Sequence, residues 1–254
     1  MSPLGTAIRV EFCKTRKSYT IQTITVLVVL GIAILAGSLL AAARRGNEQI
    51  LAQLGPLADE TGWNQLTGIS CQITAAGALL AFGVALAWLF GREFADATVS
   101  GLFAIPISRP TIAIAKLCVY YCWVVLVAIA LGAVTSMVGL FFQLGPINSG
   151  VVHSLVRQTI LVLLTGLVAT PAGWAATLGR GLLPGIAVTV GLLVVAQVTA
   201  IASSSVAAWI PLSTPALWAL QPVSVTAWQL GLVTSIPIVF TSFIVVSWRK
   251  LELD

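Results

Sequence analysis

The sequence predicts an all-α integral membrane protein: six transmembrane helices, an N-terminal amphipathic interfacial helix, and a partly embedded extracellular helical segment before the last span. Three observations predict it. Of the 254 residues, 58% are hydrophobic and 8% are charged, whereas a soluble domain carries about 25% charge. Six apolar runs, each near the roughly 20 residues that cross the hydrocarbon as a helix, contain no Asp, Glu, Lys or Arg. These runs lack the period-two alternation of a barrel strand, and an isolated apolar run satisfies its backbone in lipid only as a helix. With a mean hydropathy of +1.02, the chain cannot build a water-soluble surface. A soluble enzyme, a disordered chain and a nucleic-acid binder are excluded.

Residues 1–18 read as an amphipathic elbow. Leu4, Ile8 and Phe12 recur every four residues, with Arg9, Glu11, Lys14, Arg16 and Lys17 on other faces or at the end. That pattern suits a helix lying in the inner headgroup layer, and equally a plain basic flank that fixes topology. The spans follow at about 21–43, 69–91, 117–142, 159–178, 182–202 and 230–248, within a single transmembrane domain, 1–254. The first is longer than the 7–15 residues of a signal-peptide core, although Ala41-Ala42-Ala43 resembles a cleavage site. Pro171, Pro184 and Pro237 should each kink or interrupt a helix. Gly181-x-x-x-Gly185 has the spacing that permits close helix contact. Residues 181–248 carry no charge at all, which is length enough for three crossings. Two crossings leave a surplus, 203–228, with Pro211, Pro215, Pro222, Trp209, Trp218 and Trp228. Proline breaks a continuous helix and Trp prefers the membrane interface. The surplus reads as an outer re-entrant segment of one or two short helices; a seventh span is the competing reading.

Lysine and arginine bias sets the orientation. With both termini in the cytoplasm, Arg9, Lys14, Arg16, Lys17, Arg92, Arg109, Lys116, Arg180, Arg249 and Lys250 lie inside, and only Arg44, Arg45 and Arg157 lie outside. A multi-pass protein of the cell membrane with cytoplasmic termini is expected. The loop at 91–116 then lies in the cytoplasm. Arg92, Glu93 and Asp96 fall at helical spacing there, with Phe94 and Leu102 available to dock and Pro106 and Pro110 as stops. A loop of this kind suits contact with a cytoplasmic protein, or it merely joins two helices.

Catalytic chemistry is missing. No Gly-x-x-x-x-Gly-Lys-Ser/Thr phosphate loop and no His-Glu-x-x-His occur. The lone histidine, His153, reads as a loop residue. Among Cys13, Cys71, Cys118 and Cys122, the pair four apart on one face of span three reads as small buried packers. No carboxylate lies inside a span, which argues against an ion-coupled carrier. No catalytic or metal-binding residue is expected. A six-span chain with no power source implies energy delivered by another chain.

The segment Arg92-Glu93-Phe94-x-x-x-Thr98, then Leu102, then Pro106-Ile107-Ser108-Arg109, then Lys116 at the start of span three resembles the permease subunits of ABC-2 type ATP-binding cassette exporters. The likeness extends over nearly the whole chain and is strongest to the small permeases of bacterial antibiotic and lantibiotic export. Ala97 stands where family members often have Gly, and Ser100-Gly101 where a charged or bulky residue is common. The resemblance implies that Arg92, Glu93, Phe94, Asp96 and Thr98 form a coupling helix seated on the ATPase. It further implies two copies of a cytoplasmic ATPase that bind ATP and Mg, no cofactor in this chain, and a second permease copy, identical or related. Membrane lipids are the other expected partner. In that family spans two and five line the permease interface, so Gln72, Thr74, Thr189 and Gln197 become candidates for a substrate path; threonine hydroxyls bonded to their own helix backbone are the alternative. The expected function is export of an apolar or amphipathic compound, such as an antibiotic. The rival is a non-transporting membrane scaffold, sensor or lipid-handling assembly factor.

Overall fold

The computed structural model describes residues 2–96, 98, 101 and 107–251, and the regular elements among them are all helical. Helix α1 (Pro3–Lys17) is set by its ends. The Gly5 N–H donates to Ser2 Oγ at 3.2 Å, Pro3 occupies the first helical position, and Lys14, Arg16 and Lys17 fill the last turn, where cations oppose the helix dipole. Ser18 ends α1 and caps the next helix by accepting from the Ile21 N–H. Span one is α2 (Tyr19–Val26), a π-helical turn at Leu27–Gly31, and α3 (Ile32–Arg44). A short α4 (Glu48–Leu54) and a 3-10 turn, Gly55–Ala58, lead to span two, α5 (Gly62–Ala95). Span three is α6 (Arg109–Phe141), capped by Ser108. Span four is split into α7 (Ser149–Val168) and α8 (Pro171–Leu178), and span five is α9 (Leu182–Ala202). After α10 (Ser204–Ala207), α11 (Thr214–Leu220) and a 3-10 turn, Pro222–Ser224, span six is built from α12 (Ala227–Leu232) and α13 (Ser235–Arg249).

Six of these assemblies are long and apolar enough to cross a membrane, as expected. The fifth matches 182–202. The second and third run further than their apolar runs, because hydrogen-bonded turns continue into polar residues such as Asn64 and Arg92 that hydropathy does not count. Pro171 and Pro237 interrupt their spans as anticipated. Pro184 does not: it sits in the first turn of α9, where no intrahelical N–H is due, so it opens that helix rather than kinking it. Cys118 is only half-buried and Cys122 is exposed, so neither is the buried packer expected, while Cys71, outside that pair, is buried.

Span two is the hub, with 61% of its most apolar window buried, against 17% for span six. Its small residues permit this. A Cβ on Gly83 would fall 2.2 Å from the Thr189 side chain, one on Gly91 2.7 Å from the Gly181 backbone, and one on Gly185 2.6 Å from Ala87. Gly83, Ala87 and Gly91 thus meet Thr189, Gly185 and Gly181 as one seam between spans two and five, the close approach that small residues allow in lipid. Elsewhere the core is aromatic. Phe82 meets Trp123 edge-on at 5.5 Å, and Phe90 meets Trp248 at 6.0 Å.

The segment after span five is not a seventh span, since none of its helices is long enough. Ala207, Ala208, Ala216 and Leu217 are buried against Cys71, Ala75, Ala196 and Ala200. Leu212, Pro215 and Ala216 reach the level of Ala75 and Leu79, where only about 10 Å³ of space remains. Ala75 lies about 20 Å along span two from Gly62 at 1.5 Å per residue, so the segment dips inward beside spans two and five. At the opposite end of the bundle, α1 packs on the start of α6, and an Arg109 Nη1–H donates to the Leu251 carbonyl. Helix α1, Leu251 and the end of span two therefore share one end, which also carries most of the Lys and Arg.

Candidate functional site: an ion cluster at the root of the loop

Three stretches far apart in sequence converge where α5 runs into the loop. Glu11 lies on the inward face of α1 with Ala7 and Thr15, Glu93 lies in the last turn of α5, and Lys116 lies on the second turn of α6. Lys116 Nζ donates to Glu93 Oε1 at 2.9 Å, to the Leu89 carbonyl at 3.0 Å and to Glu11 Oε2 at 3.2 Å. An ammonium has three N–H donors, and all three are used. Lys14 Nζ adds bonds to Glu11 Oε1 at 3.1 Å and Glu93 Oε1 at 3.4 Å. Two cations and two carboxylates balance. Lys116 is wholly enclosed and both carboxylates nearly so, while Lys14 keeps 34% of its side chain exposed.

Burial pushes the Glu11 carboxyl up, but Lys116 and Lys14 together outweigh it and hold the group below its ordinary value. The ionised form is the one this site is built around. Buried ion pairs add little net stability, yet removing one partner strands the others. The arrangement therefore acts as a clamp: the elbow helix, the end of span two and the start of span three are tied at one point. Glu93 Oε2 has no hydrogen-bond partner among the described residues.

The other proposed coupling residues surround this point. The Arg92 guanidinium lies 4.4 Å from the centroid of the Trp88 ring, a cation–π contact. Phe94 is half-buried, and Asp96 and Thr98 are exposed. The Asp96 N–H donates to the Arg92 carbonyl at 2.8 Å and the Thr98 N–H to the Glu93 carbonyl at 2.9 Å, which closes the helix by a six-residue C-terminal turn. So Glu93 points into the clamp, whereas Asp96 and Thr98 face outward. Ala97, Ser100, Leu102 and Pro106 lie outside the described residues.

The four path candidates are not gathered together. Thr189 is buried in the small-residue seam and its Oγ1–H donates to the Gly185 carbonyl of its own helix at 2.8 Å. Thr74 is buried with no partner for its Oγ1 among the described residues. Gln72 and Gln197 are half-buried.

Sequence reasoning missed the clamp. The sequence places Glu11 off the apolar stripe of the first helix and Lys116 in the motif at the start of span three, without bringing the two together. The available signal was isolation: Glu11 is the sole acid among the first 47 residues, and Lys116 the sole charge between Arg109 and Arg157. Gln158 was missed as well, because it precedes its apolar run. It is fully buried, and its Nε2 donates to Ser70 Oγ and Thr135 Oγ1, both at 2.9 Å, joining spans two, three and four.

Comparison with known proteins bears on this site. The family model described as ABC-2 family transporter protein matches residues 7–196, a stretch that contains all four members of the clamp. The bacitracin transport permease protein BCRB of Bacillus licheniformis is 29% identical over 80 residues, 32% of this chain and 38% of that relative. The matched stretch thus spans little more than a third of the relative's length.

Proposed function

The chain belongs to the ABC-2 transporter family, and from that premise we propose that it is the permease subunit of an ATP-driven exporter in the cell membrane. Its cargo is an apolar or amphipathic compound, and the peptide antibiotic in the name of its relative is the first compound to test. A separate cytoplasmic ATPase, in two copies, holds ATP and Mg and supplies the energy. A second permease copy completes the transmembrane path, and both termini face the cytoplasm.

The clamp is the observation that carries this reading. The loop that follows Glu93 hangs from a four-charge knot in which only Lys14 is partly exposed, and in this reading a force on the loop moves α1, span two and span three together. Nucleotide binding then shifts the balance between two packings of the bundle by its differential affinity for them. Arg92, Phe94, Asp96 and Thr98 supply the ATPase-facing surface, and Glu93 holds that surface in place. Thr189 would reach the path only in a packing that parts the seam between spans two and five, whereas the half-buried Gln72 and Gln197 and the buried Thr74 lie outside that seam.

Inside-out membrane vesicles containing the chain and its ATPase test this. ATP should drive accumulation of a fluorescent amphipathic antibiotic, and removal of Mg or of the ATPase should abolish it. Accumulation independent of nucleotide would overturn the reading.

A further inference from the structure

Span one and span three diverge near the end of the bundle away from the clamp and leave an apolar groove of about 510 Å³. Ala33, Gly37 and Ala41 form one wall; Val138, Phe141 and Phe142 form much of the other. From Ala33 to Ala41 the groove runs about 12 Å along the helix axis at 1.5 Å per residue. Ile34, Met137 and Phe141, which also line it, are exposed. One helical turn beyond Ala41, the last lining residue on α3, come Arg44, the last residue of α3, and Arg45, which caps it. The Arg44 guanidinium lies 5.9 Å from the Phe142 ring centroid, and its Nη1–H donates to the Phe142 carbonyl at 3.0 Å. That bond fixes the cation over the groove mouth. Among the described residues neither arginine is within ion-pair distance of a carboxylate, and both are exposed.

With Arg157, these two arginines depart from the charge asymmetry of the chain, because its other ten Lys and Arg residues lie at the other end. A pair of exposed cations with no carboxylate partner among the described residues, next to the end of a long apolar groove, is complementary to an anionic amphiphile. We propose that this groove seats an acyl chain of an anionic phospholipid whose phosphate is held by Arg44 and Arg45. The site is independent of the clamp and of the ATPase.

Photolabelling of the full-length protein in phosphatidylcholine nanodiscs tests it. Trace phosphatidylglycerol or phosphatidylcholine, each with a photoreactive acyl chain, is added, and labelled peptides are mapped. The phosphatidylglycerol probe should label residues 33–41 and 134–142 at least about fivefold more than the phosphatidylcholine probe, the factor expected from a single cation near an anionic headgroup. Arg44→Gln with Arg45→Gln should erase the preference. Gly37→Leu should lower groove labelling with either probe, because a Cβ there already approaches Val138 at 3.3 Å and Phe142 at 3.4 Å. Unfolding midpoints of all variants report that the fold is kept. Equal labelling by both lipids, or a preference that survives the double variant, overturns the proposal. So does an oxidative link between two copies through Ile34→Cys, which would show the groove closed by a second chain.

Discussion

Lys116 has three donors, three acceptors and no exposed surface. Lys116→Met therefore leaves the Glu11 and Glu93 carboxylates buried without their shared partner. The expected cost is about 3–5 kcal/mol, read as a lower unfolding midpoint of the purified protein, and the additional changes Glu11→Gln and Glu93→Gln should restore most of it. The same melts taken against pH give a second readout. Glu11 titrates below its ordinary value in the folded chain. A carboxyl lowered in this way contributes stability above its unfolded pKa and loses it as pH falls through the folded one. The midpoint should hold above about pH 4, the ordinary carboxylate range, fall on further acidification, and fall less in Glu11→Gln. The sequence shows Glu11 and Lys116 as isolated charges but gives no sign that they pair. A charge on an amphipathic helix looks solvent-bound until the neighbouring span that buries it is known.

Spans two and five owe their closeness to Gly83, Gly91, Gly181 and Gly185. Gly91 is the most demanding, because a Cβ there meets backbone atoms of Gly181 and Leu182, which cannot rotate away. Gly91→Ala should cost about 1–3 kcal/mol by overpacking. Gly191, on the same helix as Gly185 but with open space around it, should tolerate Ala or gain up to about 1 kcal/mol from helix propensity; comparing the two unfolding midpoints checks the pair. Such elements were legible to different depths. The apolar runs located all six spans, because lipid forces the backbone of each into a helix. The π-helical turn at Leu27–Gly31 and helix α4 left no mark in hydropathy. Gly181-x-x-x-Gly185 was visible as a spacing, but its partners on span two emerge only from the packing. The proline-rich stretch 203–228 announced a break in the helix, while its insertion beside Ala75 depended on small residues from four separate segments.

At the scale of the whole molecule, one chain offers a bundle with a basic end, a clamp beneath a loop and no nucleotide site of its own among its motifs. Asp96 and Thr98 are exposed while Glu93 is buried in the clamp, so under the proposed function the outward pair is where a driving ATPase would make contact. The direct test is a photoreactive side chain placed at Thr98 in native membranes, with the same probe at exposed Val152 near the opposite end as the control. Irradiation should join position 98, but not 152, to an ATP-binding cassette ATPase, with a yield that changes when ATP and Mg are added. No ATPase adduct at 98, or equal adducts at both positions, would contradict the account.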